Sequence, residues 1–143
     1  MKVVLVAPAA ALISLLGAVP AAADPGSGPS YAPPFVDHTE WVYWGGLSSL
    51  RVYPTPSGRA ASRMSGTAGA DPQTADEAWS EVVARSPDAD TPGMRAQFVC
   101  HWQFAEIGQP GKISWNLEPW RPVVDDAQMV AALCNPGASE EPF

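Results

Sequence analysis

The chain has 143 residues, of which eight are basic and fifteen are acidic, and it contains two cysteines and six tryptophans. A formal net charge of −7 repels phosphate backbones and anionic lipid surfaces, and the basic residues form no cluster in the sequence. We therefore expect no nucleic-acid partner. The length is enough for one folded domain and not for two.

The first residues have the pattern of a secretory signal peptide. Lys2 precedes an apolar run from Val3 to Val19, and small residues lead to the junction between Ala23 and Asp24. We predict cleavage after Ala23. A membrane-spanning helix is disfavoured because proline and serine interrupt a run of marginal length. We expect a protein secreted to the cell envelope or beyond, with no stable membrane insertion after cleavage. The mature chain then has seven basic residues against fifteen acidic ones.

The mature chain divides into three parts. Residues 24–37 are rich in proline and glycine without periodicity, which is typical of a disordered leader. Residues 38–137 form the predicted single domain, and residues 138–143 form a flexible tail.

The first half of the domain predicts a hairpin and a helix. "HTEWVYWGG" and "LSSLRVYPTP" alternate and are separated by Gly45–Gly46, which indicates an antiparallel pair. Residues 59–64 favour one or two helical turns. "TADEAWSEVVARSP" indicates a longer helix, with Thr74 and Glu77 at the spacing of a capping box.

"MRAQFVCHWQF", residues 94–104, alternates between apolar and polar side chains and therefore predicts a β-strand. "ISWNLEP" predicts the returning strand after the turn "IGQPGK". In that register His101 lies opposite Glu118, and the carboxylate should raise the pKa of the histidine unless burial opposes it.

"DDAQMVAALCNPG" predicts a closing helix capped by Asp125 or Asp126, with Cys134 in its last turn. Because Cys100 and Cys134 are the two cysteines of an exported chain, we predict a disulfide, worth about 4 kcal/mol in the chain-entropy model. A reactive thiol or a metal pair is the alternative. The predicted fold class is α+β: an antiparallel sheet of about four strands with two helices packed on it, stapled by the disulfide.

Catalytic and metal motifs are weak. Cys100 and His101 are neighbours on a predicted strand, so they point to opposite faces and cannot form a dyad. His38 and Glu40, with His101 as a third ligand, make only a weak zinc pattern. The sequence contains no G-x-S-x-G elbow. We predict no metal and no cofactor.

The tryptophans favour two roles. Trp79, Trp102 and Trp115 lie on stripes assigned to the core. Turn and edge positions offer an exposed binding surface for stacking on sugars or on a protein. Its predicted residues are Trp44, Tyr53, Trp120 and Arg121.

The blocks "WVYWGGLSSLRVYPTPSGR", "QFVCHWQF", "WNLEPWRP" and "LCNPG" resemble the DUF2599 family of secreted bacterial proteins. The resemblance covers roughly residues 38–137. It implies a secreted single domain and implies no activity and no catalytic residue.

These observations favour a secreted, non-enzymatic binding or envelope-associated module whose partner is a cell-envelope glycan or protein. The alternative is a hydrolase of cell-envelope polymers. Its polar site would consist of His38, Glu40, His101 and Glu118.

Overall fold

The computed structural model describes residues 31–139. The predicted signal peptide, the leader up to residue 30 and the tail from residue 140 lie outside the described residues. The elements in chain order are β1 (Val36–Trp44), β2 (Leu47–Pro54), α1 (Pro56–Met64), α2 (Gln73–Arg85), a 3-10 turn (Pro87–Ala89), α3 (Met94–Gly108), β3 (Trp115–Leu117) and α4 (Asp126–Ala131). The α+β class is confirmed, with three strands and four α-helices among the described residues.

The predicted hairpin is confirmed. β1 pairs antiparallel with β2, and the register places Trp44 opposite Leu47. Gly45 and Gly46 connect the strands with φ of +56° and +80°. Positive φ at both turn positions matches the twist of the flanking strands, and glycine adopts it without steric cost.

The segment 94–104 is a helix, so the predicted strand is wrong. Met94, Phe98 and Trp102 are fully buried, and their spacing of four residues fits one face of a helix as well as one face of a strand. Phe104, which the strand prediction placed in the core, is 41% exposed. The buried positions that distinguish the two patterns are Gln97 and His101. Because both are polar, hydrophobic periodicity does not reveal them.

β3 consequently has a different neighbour from the one predicted. The sheet order is β1–β2–β3, and Leu117 of β3 lies opposite Leu50 of β2. α1, α2 and α3 supply the rest of the core, in which Trp102 contacts Trp115 edge-on with ring centroids 6.0 Å apart. The core assignment of Trp79, Trp102 and Trp115 is confirmed.

The helix starts are capped partly as predicted. Asp125 caps α4 by accepting the Gln128 N–H, as expected. α2 exists, but the capping box is absent because Thr74 lies inside the helix and its hydroxyl donates to the Asp71 carbonyl. Thr55 caps α1 by accepting the Gly58 N–H.

The fold starts before residue 38. Phe35 and Val36 are both 1% exposed, and the Glu81 carboxylate of α2 accepts their backbone N–H groups at 2.8–3.0 Å. The end of the predicted leader is therefore part of the core. The proline and glycine content of the leader predicts disorder, although two buried apolar residues lie near its end.

The predicted disulfide between Cys100 and Cys134 is present. Cys134 lies three residues beyond the end of α4 and has φ of +66°, so it is not in the last turn of that helix. The bond joins α3 to the segment that follows α4. None of the helices in residues 31–139 is long and apolar enough to cross a membrane.

Candidate functional site

The four residues of the predicted polar site do not form one cluster. His38 and Glu40 are exposed on β1, where Tyr53 stacks on the His38 ring at 4.0 Å and donates to the Glu40 carboxylate. Glu118 instead accepts from Ser49, four residues along β2 from Tyr53. Four residues of a strand span about 13 Å, and this distance separates the Glu118 contact on β2 from the His38 and Glu40 contacts at Tyr53. His101 is buried beside β3, and no three potential metal ligands are grouped within the described part of the chain.

α3 binds the backbone of β3 through two polar side chains. The Gln97 amide donates to the Glu118 carbonyl and accepts the Glu118 N–H, both at 2.9 Å. One helical turn later, His101 Nε2 lies 3.0 Å from the Asn116 carbonyl oxygen. Within residues 31–139 no further strand pairs with this edge of the sheet, and these side chains satisfy its backbone groups instead. The sequence predicts no role for Gln97, because the residue belongs to no recognisable motif.

His101 is a neutral hydrogen-bond donor. Burial lowers its pKa to about 4, and the positive charge of Lys112 acts in the same direction. The cross-strand register that predicted the pairing with Glu118 is wrong because α3 is a helix, and burial opposes the predicted rise in pKa. Because a carbonyl can only accept, Nε2 carries the proton and Nδ1 is unprotonated in the neutral ring.

Glu118 forms a buried ion pair with Arg121. Arg121 Nε donates to Glu118 Oε2 at 2.6 Å, and both side chains are at most 1% exposed. Ser49 donates to the other carboxylate oxygen at 2.9 Å. Arg121 Nη1 also donates to the carbonyls of Pro136 and Ala138. The pair thus holds the C-terminal segment against the sheet.

The predicted binding surface is largely absorbed into the fold. Arg121 is 3% exposed. Trp120 is half-buried, donates its indole N–H to the Ser48 carbonyl and lies under the Arg121 guanidinium. Tyr53 is half-buried against His38. Trp44 is 57% exposed at the end of the hairpin, and its role in binding stays a prediction.

An open groove lies between the C-terminal half of α3 and the end of α4; we call it the α3–α4 groove. Its volume is about 450 Å³, within the size range of small-ligand sites. His101 lies in its wall and Cys134 of the disulfide lines it. The exposed apolar residues of the lining are Phe104, Ile107, Val130 and Leu133, at 41%, 66%, 45% and 81% exposure.

Leu133 is unusual within this groove. It has φ of +51°, a left-handed conformation that glycine and asparagine adopt at lower cost than leucine. It is also the most exposed of the large apolar side chains described here. An exposed leucine gains little free energy from burial in the fold itself, and it adds apolar area to the surface of the groove.

A cluster of charges links α1 to α3. Glu106 on α3 is buried and accepts from Arg59 at 2.5 Å and from Arg63 at 3.0 Å. Arg59 also donates to the backbone carbonyls of Lys112 and Ile113. Lys112 itself lines the groove. α1 is thereby fastened to the segment that carries Lys112.

Comparison with known proteins yields relatives without an assigned activity. An uncharacterized protein of Mycobacterium bovis and one of Mycobacterium tuberculosis are each 57% identical to this chain over all of both chains. An uncharacterized protein of Mycobacterium leprae is 53% identical over 78% of this chain and 87% of its own length. No solved structure gave a significant match. The family model for DUF2599, "Protein of unknown function", matches residues 36–137. The chain belongs to the DUF2599 family.

Proposed function

We propose that the protein is exported and acts as a binding module, and that its ligand lies in the α3–α4 groove. The observation that carries the proposal is Leu133, which combines 81% exposure with a left-handed backbone. Phe104, Ile107 and Val130 continue the same apolar surface. Contiguous apolar surface exposed to water marks a site for a ligand or partner.

The polar residues of the rival hydrolase support the same proposal. His101 donates to the Asn116 carbonyl, and Glu118 accepts from Arg121 and Ser49. These contacts make His101 part of the junction between α3 and β3 and make Glu118 part of a buried ion pair beside β2. His38 and Glu40 lie apart from them, on the exposed face of the hairpin. The groove is therefore a better candidate site than the polar residues.

Export is supported by the N-terminal pattern and by the disulfide, because disulfides persist in oxidising compartments. The mass of the protein recovered from culture medium or envelope fractions tests it. We expect a chain that begins at Asp24. An extracellular product that still begins at Met1, or a chain confined to the cytosol with both thiols free, contradicts export.

An uncharged apolar dye, N-phenyl-1-naphthylamine, tests binding in the groove. Its fluorescence should rise on addition of the native protein, and Leu133→Asn should weaken the response severalfold. Asparagine tolerates the left-handed backbone, so this variant should fold normally. Val123→Asn is the matched control, since Val123 is 65% exposed and does not line the groove. No dye binding, or equal binding by both variants, contradicts the proposal.

A further inference from the structure

The two edges of the sheet differ in how their backbone groups are satisfied. At the β3 edge, side chains of α3 bind the backbone. At the start of β1, the Glu81 carboxylate accepts the N–H groups of Phe35 and Val36. Beyond them β1 is the outermost strand, and within residues 31–139 neither a strand nor the backbone of a loop binds the outer edge of residues 39–43. In the described part of the chain this stretch of backbone is therefore open to a further strand.

The turn of the hairpin fixes which backbone groups of β1 point away from β2. Trp44 and Leu47 flank a two-residue turn and form its closing hydrogen-bonded pair, and such pairs then recur at every second residue. The residues opposite the intervening positions of β1 point to the other side of β2, where β3 and the Trp120 indole bind them. The residues of β1 whose N–H and C=O groups point outward are Thr39, Trp41 and Tyr43.

This outer edge lacks the features that usually protect an edge strand. Natural edges are blunted by proline, lysine, several charges or a bulge. Residues 38–44 contain no proline, no lysine and a single carboxylate, that of Glu40. Their register with β2 is continuous. Tyr43 is 73% exposed and Trp41 is half-buried, so aromatic side chains lie beside the outward backbone groups and add apolar area to the edge.

The edge is complementary to a second copy of itself. In an antiparallel pairing across a two-fold axis, the register with Trp41 opposite Trp41 pairs all three outward residues, because Thr39 of each copy then lies opposite Tyr43 of the other. That register sets Glu40 opposite Val42, so no carboxylate faces another carboxylate. A two-fold axis at residue 40 would set Glu40 opposite Glu40, where like charges destabilise the pair. An axis at residue 42 would leave Thr39 opposite the turn.

We infer that the protein forms a two-fold dimer in which β1 of each copy pairs with β1 of the other, with Trp41 at the axis. The pairing joins two three-stranded sheets into one continuous sheet and gives the outward N–H and C=O groups partners. The mature chain is acidic, with seven basic residues against fifteen acidic ones. At physiological ionic strength this repulsion is screened beyond about 8 Å, so the short-range contacts of the two strands decide association. The inference is independent of the α3–α4 groove.

Sedimentation equilibrium of the mature chain, with its disulfide intact, tests the dimer. Tyr43→Pro removes an outward N–H group that β2 does not use, and each copy of the dimer loses one hydrogen bond. Tyr43→Thr is the matched control, because it removes the same aromatic ring and keeps the N–H group. Tyr43→Pro should dimerise with a dissociation constant about tenfold higher than that of Tyr43→Thr. A native chain that stays monomeric, or equal dissociation constants for the two variants, overturns the inference.

Two single-cysteine variants test the register without depending on whether Tyr43→Pro folds. In the inferred dimer, Glu40→Cys of one copy lies opposite Val42→Cys of the other at a non-hydrogen-bonded pair. The Cα atoms of such a pair are about 4.5 Å apart, within the range of a disulfide. An oxidised mixture of the two variants should therefore give a cross-linked dimer on non-reducing electrophoresis, and neither variant alone should. Cross-linking of either variant alone, or no cross-link in the mixture, overturns the inference.

Discussion

Two faces of α3 reverse the usual placement of side chains. Toward β3 the helix buries Gln97 and His101, which are polar. Toward α4 it exposes Phe104 and Ile107, which are apolar. The buried polar groups are each engaged by backbone atoms of β3, so the α3–β3 contact is structural. The exposed apolar groups have no such explanation in the fold, so the α3–α4 groove is the stronger candidate for a functional site.

Breaking the buried ion pair should give the largest effect. Glu118→Gln leaves the Arg121 guanidinium buried without its anionic partner, and we expect a loss of as much as about 5 kcal/mol in the free energy of unfolding. Urea denaturation measures it. Glu40→Gln, on the exposed face of the hairpin, should cost less than about 1 kcal/mol. Equal midpoints for the two variants would show that the fold depends little on this pair.

Removing the disulfide should give the second largest loss of stability. It closes a loop across a sequence separation of 34 residues, which corresponds to about 4 kcal/mol in the chain-entropy model. We expect Cys100→Ser with Cys134→Ser to lose about that much in urea and to weaken dye binding, because the bond lies beside the groove. Stability within 1 kcal/mol of the native protein would contradict this.

The pH dependence of stability tests the α3–β3 contact through His101. The pKa of folded His101, about 4, lies below the ordinary value of 6.5, so the unfolded chain takes up this proton first as the pH falls. The contribution of His101 to the free energy of unfolding is present above pH 6.5 and decreases down to about pH 4. Its size is on the order of 3 kcal/mol.

His101→Gln should flatten the decrease between pH 6.5 and 4, because the amide can still donate to the Asn116 carbonyl but does not titrate in this range. Unfolding curves measured across this range give the slope. An unchanged slope for His101→Gln would mean that the histidine is not held neutral by burial.

The smallest expected effect concerns Leu133 in the α3–α4 groove. Leu133→Asn should raise the free energy of unfolding by about 1 kcal/mol, since asparagine adopts the left-handed conformation more readily. Thermal unfolding measures the change, with Val123→Asn as the control that should stay within about 0.5 kcal/mol of the native protein. A marked loss of stability would show that Leu133 packs within the fold and is not held out for a ligand.

Local patterns predicted much of the fold. The alternation on either side of Gly45–Gly46 indicated the hairpin, the periodicity around Trp79 indicated α2, and Asp125 was among the predicted caps of α4. The two cysteines of a chain with an export pattern indicated the disulfide. Each of these inferences depends on neighbouring residues or on chemistry that holds in any fold.

The tertiary structure alone decided the partners of α3 and the position of the groove. Met94, Phe98 and Trp102 satisfy a strand and a helix equally well, so their spacing could not choose between them. The choice depends on Gln97 and His101, whose burial is favourable only because β3 presents backbone groups for them to bind. A polar residue is buried where a partner in space compensates its loss of water, and that partner is not encoded by sequence spacing.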